Sequence, residues 1–124
     1  MPPRSARVVA DLKAVEVRLW SLLAPYRHRG LVESTIYGMP SLVWPGARAH
    51  DYFAAVKPAS KHVSLFAIAV DTFPDVLDGA SPALLKRRSG KATFSFPSLD
   101  DELAADLAAM LDRLFERYEA AHRG

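Results

Sequence analysis

The sequence predicts an α+β fold, a two-layer sandwich in which N- and C-terminal helices pack on one face of a mainly antiparallel β-sheet. Apolar residues recur at helical spacing at both ends of the chain, and β-branched and aromatic residues fill its middle. Turn residues separate the middle segments at short intervals. With 124 residues, half of them apolar and about a quarter charged, the chain has the composition of one globular domain spanning residues 1–124.

The first helix is expected over Arg4 to Leu23. Val8, Leu12, Val15, Leu19 and Leu22 alternate in steps of four and three, which sets them on one face, while Asp11, Lys13 and Arg18 fall mostly off it. Pro25 supplies the stop, and "RHRG" follows as a polar connection. "ESTIYG" and "SLVWP" then read as two strands with Gly38-Met39-Pro40 as their corner, because Gly adopts backbone angles closed to other residues and Pro lacks a ladder donor. "HDYFAAV" is a third strand. "HVSLFAIAV" is a fourth, apolar on both faces and therefore central in the sheet. "TFPDVLDG" and "SPALLKRRSG" read as short helical turns, each with Pro near its start. In "KATFSFPS", Phe94 and Phe96 alternate with Thr93 and Ser95, the period of a strand with one face buried. A last helix starts at Ser98 or Asp100, with Asp101 and Glu102 where the helix dipole favours negative charge. Its stripe is Leu103, Leu107, Met110, Leu111, Leu114 and Tyr118, and Arg113, Arg117 and Arg123 gather toward its end.

Several functional classes are excluded or disfavoured. The absence of cysteine removes disulfides, thiolate nucleophiles and cysteine-ligated metal centres. A net charge of only +2 without a clustered cationic arm argues against a nucleic-acid partner. No run of about 18 apolar residues occurs, so no membrane partner is expected. Acids and bases interrupt the apolar residues of the opening stretch, unlike a secretory signal, and a cytoplasmic location is expected. Ser34, Ser41 and Ser64 lack a nucleophile-elbow pattern and Gly90 lacks a phosphate-loop pattern, so no catalytic motif is present and a non-enzymatic role is expected.

Four residues make the candidate ligand-binding set. Glu33 is a carboxylate on a strand, suited to a ligand's donor group, to a metal, or to an ion pair with Lys61 or His62. Tyr37 offers a hydroxyl or a packing ring. Lys61 and His62, with Lys57 nearby, gather cationic and titratable groups before the central strand, where they form either an anion site or a solvated turn. No acid or second His stands at zinc-ligand spacing from His62. Lys86, Arg87, Arg88 and Lys91 form a short basic run that reads as a solvated loop or a patch for an acidic partner. Asp71, Asp75 and Asp78, and Asp100, Asp101, Glu102 and Asp106, are oxygen donors of the kind hard cations prefer, although neither group has EF-hand spacing.

The stretches "ESTIYGMPSLVW", "YFAAVKPASKHVSLFAIAV" and "GKATFSFPSLDDELAADLAAML" resemble the YdhG-like family of bacterial domains, in the family's order and behind a leading helix. The resemblance implies a compact sandwich of helices on an antiparallel sheet. It also implies an iron-chaperone alternative, since some members are described as frataxin-like, and frataxins bind iron on an acidic ridge around their first helix and strand. The first helix here contributes Asp11 and Glu16 to such a ridge, interleaved with Lys13 and Arg18. The expected function is thus a small-ligand or protein binding module, monomeric or homodimeric, with no cofactor unless iron is carried. Trp20, Trp44 and Tyr26 are candidates for the core or for a dimer patch.

Overall fold

The computed structural model describes residues 4–47 and 51–123, with side chains from Leu12 onward within those ranges. The side chains of Val8 and Asp11, and His50 altogether, lie outside the described residues. The chain runs α1 (Arg4–Leu23), a 3-10 turn (Ala24–Arg29), β1 (Val32–Ile36), β2 (Met39–Val43), β3 (Ala54–Pro58) and β4 (Val63–Phe66). It continues through α2 (Ala69–Thr72), a second 3-10 turn (Pro74–Leu77), α3 (Pro82–Leu85), β5 (Arg88–Gly90), β6 (Thr93–Phe96) and α4 (Asp101–Arg123). The strands form one antiparallel six-stranded sheet in the order β1-β2-β3-β4-β6-β5.

Strand alternation divides the sheet into two faces. Leu42, Ala54, Val56, Val63, Leu65, Phe94 and Phe96 share one face and join the main core with Leu12, Val15, Leu19 and Leu23 of α1 and the α4 stripe. The α+β sandwich is therefore present, with both terminal helices on the same face. Leu22 is half-buried while Leu23 is fully buried, so the stripe of α1 rotates slightly toward its end. In α4 the buried set is Ala104, Leu107, Met110, Leu111, Leu114, Phe115 and Tyr118. The helix is capped by Asp100, whose Oδ1 accepts the Leu103 N–H at 2.8 Å.

Phe53 ties the layers together at one end. Its ring lies 5.0 Å from Tyr26, 5.7 Å from Phe115 and 5.7 Å from Tyr118, so the 3-10 turn, the entry to β3 and α4 meet at one aromatic group. The Tyr26 hydroxyl donates to Asp112 of α4 at 2.8 Å, and burial, reinforced by this carboxylate, pushes its pKa well above the ordinary tyrosine range.

The opposite face is covered in part by the connection from β2 to β3. Tyr52 packs with Ile36, Val43 and Ala55 into a second small core, with Met39, Ala47 and Phe66 at its margin.

Some expected elements differ in extent. The fourth strand ends at Phe66, and the apolar residues Ala69 and Val70 belong to α2, since a continuous apolar run serves a buried helix turn as well as a strand. The corner of the first hairpin is Tyr37-Gly38, and Met39 and Pro40 lie within β2. The third strand begins at Ala54 and runs on to Pro58. The basic run is no loop throughout, because Arg88–Gly90 form the edge strand β5. Arg88 there directs its guanidinium to the Lys91 carbonyl, at 2.6 Å from Nη2 and 3.1 Å from Nε.

Candidate functional site

Among the described residues, a cleft lies between α1 and the β1–β2 hairpin. It has a volume of about 450 Å³. Half-buried Trp20 forms its wall on the helix side, and Glu33, Thr35 and Pro40 lie across from it on the hairpin, with Gly38 at the tip. The pairings Glu33↔Leu42 and Thr35↔Pro40 set these side chains on the helix-covered face of the sheet. The hairpin extends beside α1 and leaves open space instead of continuing the core.

The local sequence explains the hairpin. Ile36↔Met39 closes a two-residue loop in which Tyr37 and Gly38 have φ of +51° and +78°. Positive φ at both central residues is the signature of a type I′ turn, whose twist suits paired strands. Glycine takes this conformation without strain, whereas Tyr37 is held in it. The β2–β3 ladder pairs only Ser41↔Ala55 and Leu42↔Ala54, so Pro40 stands just where its missing donor is tolerated.

Glu33 makes an ion pair with Arg27 of the 3-10 turn, and both side chains are about half exposed or more. The carboxylate therefore enters the cleft with a cation beside it and remains open to exchange with a ligand's donors. Ser34 and Ser41 also border the cleft, although register sets both side chains on the other face of the sheet. Ser41 is buried, and its Oγ has no hydrogen-bond partner among the described residues, although register turns its side chain toward Ala55 on the other face.

The four sequence-selected residues are distributed unevenly. Glu33 lines the cleft. Tyr37 stands at the hairpin tip, 67% exposed, and its phenol adds to the burial that raises the pKa of Tyr52. Lys61 and His62 occupy the β3–β4 turn, where the Ala59 N–H donates to the His62 carbonyl at 2.8 Å. That turn is at the same end of the sheet as Tyr37. Glu33, however, sits level with Ala54 on the far side of β2, which by strand spacing puts it roughly 20 Å from His62. Register thus separates Glu33 from Lys61 and His62. Sequence reading also missed Trp20 and Arg27; the one sign available was that Trp20 follows the buried position Leu19 and so falls at the margin of the α1 stripe.

A second polar cluster lies where α4 meets the β2–β3 connection. His122 Nε2 is 2.9 Å from Asp51 Oδ2, its ring stacks on Trp44 at 5.4 Å and 10°, and Tyr118 meets it edge-on at 4.5 Å. The Trp44 N–H donates to the Tyr118 hydroxyl at 3.1 Å, and burial is the main cause that pushes this tyrosine up to about 12. These contacts fasten the connection to the helix end.

Several of the carboxylates considered for cations are engaged structurally. Asp75 pairs with Arg117, Asp101 with Arg18, and Glu16 with Lys13 at 3.0 Å. Asp106 accepts the Ser81 N–H at 2.8 Å. Among the described residues no group of three or more His, Cys, Asp or Glu is placed to hold a metal ion. Also among the described residues, no helix is long and apolar enough to cross a membrane. No protein-family model, curated protein or solved structure matches the chain.

Proposed function

We propose that this chain is a non-enzymatic binding module of the YdhG-like type, acting in the cytoplasm, and that the cleft between Trp20 and the β1–β2 hairpin receives its ligand. The observation that carries the reading is the combination of an indole wall, a carboxylate and the hydroxyl-bearing Thr35 around about 450 Å³ of open space. Small-molecule sites commonly pair an apolar wall with a few placed polar groups. The ligand class this suits is a small molecule, or a side chain of a protein partner, with a flat or aliphatic face for Trp20 and a donor group for Glu33. Tyr37 stands apart from this lining at the hairpin tip, with its phenol toward Tyr52 on the other face of the sheet. The observed sandwich accords with the fold that the family resemblance implies.

Tryptophan fluorescence provides the test, because the chain has only two tryptophans. In a Trp44→Phe variant, Trp20 is the sole reporter. Binding fragments are expected to shift its emission, and Glu33→Ala is expected to weaken those that carry an amine or amidine. Fragments that bind without changing Trp20 emission would count against the cleft. The iron-carrier alternative rests on surface carboxylates, and anaerobic calorimetry with ferrous iron separates it: saturable heat well below about millimolar iron would favour it.

A further inference from the structure

The two edges of the sheet are built differently. At one edge, β5 has only three residues, carries Arg88, and meets β6 through a register shift between Arg88 and Gly90. Short length, charge and a bulge are the features that keep an edge strand from pairing with another chain. At the other edge, β1 keeps five consecutive regular pairs with β2. It contains no Pro, Lys or bulge, its one charge is already paired with Arg27, and its residues Val32 to Thr35 are all exposed. Val32 is an exposed apolar residue at 45%. Among the described residues no strand lies outside β1.

The hairpin turn determines which backbone groups face outward. In a two-residue loop the closing pair, here Ile36↔Met39, is mutually hydrogen-bonded, and bonded pairs then alternate along the ladder. Ile36, Ser34 and Val32 therefore direct their N–H and C=O groups toward β2. Glu33 and Thr35 direct theirs away from the sheet.

We infer that a second copy of this chain pairs with β1 in antiparallel fashion about a two-fold axis at Ser34, forming a homodimer with one continuous sheet. In that register Glu33 lies opposite Thr35 of the second copy, and Thr35 opposite its Glu33, so the outward groups exchange both bonds of each pair. Ser34 meets its own equivalent in a non-bonded pair, and Val32 meets Ile36 on the face away from the helices. A pairing centred on Glu33 would set two carboxylates directly opposite, which is unfavourable. A pairing centred on Thr35 would require Glu33 to face Tyr37, which has already left the strand at φ +51°. Self-complementarity of this kind is what a two-fold interface needs. The two-fold axis stands perpendicular to the sheet, so both helix layers lie on the same side and the two Trp20 clefts approach one another across the joined strands. The inference stands whatever the cleft binds.

Sedimentation equilibrium of the full chain tests it, with two variants. The wild type is expected to have twice the chain mass at about 100 μM, and mass action converts it to monomer on dilution. Ser34→Arg places a guanidinium on an exposed position in the monomer and opposes two cations in the dimer. Thr35→Pro removes an outward donor that β2 does not use. Both are expected to raise the dissociation constant about tenfold or more, with far-UV circular dichroism unchanged. A monomeric wild type at that concentration overturns the inference. So does a folded Ser34→Arg variant that dimerises as the wild type does, because the interface would then be elsewhere.

Discussion

Replacing Phe53 by Ala removes the ring on which the two layers converge. Phe53 is fully buried and contacts Tyr26, Phe115 and Tyr118, with centroid distances of 5.0 to 5.7 Å. Truncating a buried phenylalanine costs roughly 3–5 kcal/mol, and aromatic pairs add about 0.5–1.5 kcal/mol each beyond burial, without summing fully. About 4 kcal/mol is the working figure, against a total stability of roughly 5–15 kcal/mol for a domain. For a chain of this size that corresponds to a melting temperature lower by on the order of 10–20 °C. Urea unfolding followed by tryptophan emission measures the loss. The exposed Val17→Ala on α1 serves as a control and is expected to stay within about 0.5 kcal/mol of wild type. A loss below about 1 kcal/mol at Phe53, or equal losses at both positions, would refute the reasoning that this cluster joins the layers.

Two further outcomes follow from the geometry. Tyr118 has its pKa raised from 10.0 to about 12, so the folded state keeps its proton where the unfolded chain releases it, and the associated stability is full below pH 10 and lost as pH rises toward 12. Denaturant titrations across that window are expected to give a shallower decline for Tyr118→Phe than for wild type, and an equal slope would contradict the assignment. Gly38→Ala is expected to destabilise the hairpin by about 1–2 kcal/mol through backbone conformation alone, since φ is +78° and an added Cβ meets nothing within 4 Å. Thermal unfolding measures it, and an unchanged midpoint would show that the turn relaxes freely.

Much of the fold was legible because periodicity and packing agree. The bounds of α1 and the alternation in β6 followed from apolar spacing, and Asp100 proved to be the cap of α4. The misplaced parts share a physical cause, in that local pattern is ambiguous where tertiary context decides. Ala67–Val70 continue an apolar run, yet the chain turns into α2 after β4. Arg88, Ser89 and Gly90 have no strand-like side chains, and β5 exists because β6 offers a partner. Glu33 was visible as an acid on a strand, but its distance from His62 depends on strand register, which no local pattern reveals. Trp20 and Arg27 join the site only because α1 and the following turn are folded against the hairpin.

The most direct measurement of the central claim is an amide-shift map of isotopically labelled protein titrated with the strongest fragment that alters Trp20 emission. The cleft account predicts shifts at Glu33, Ser34, Thr35, Gly38 and the Trp20 indole N–H, with little change at Asp51 and His122. Shifts concentrated around Asp51, Trp44 and His122, with the hairpin unmoved, would contradict it.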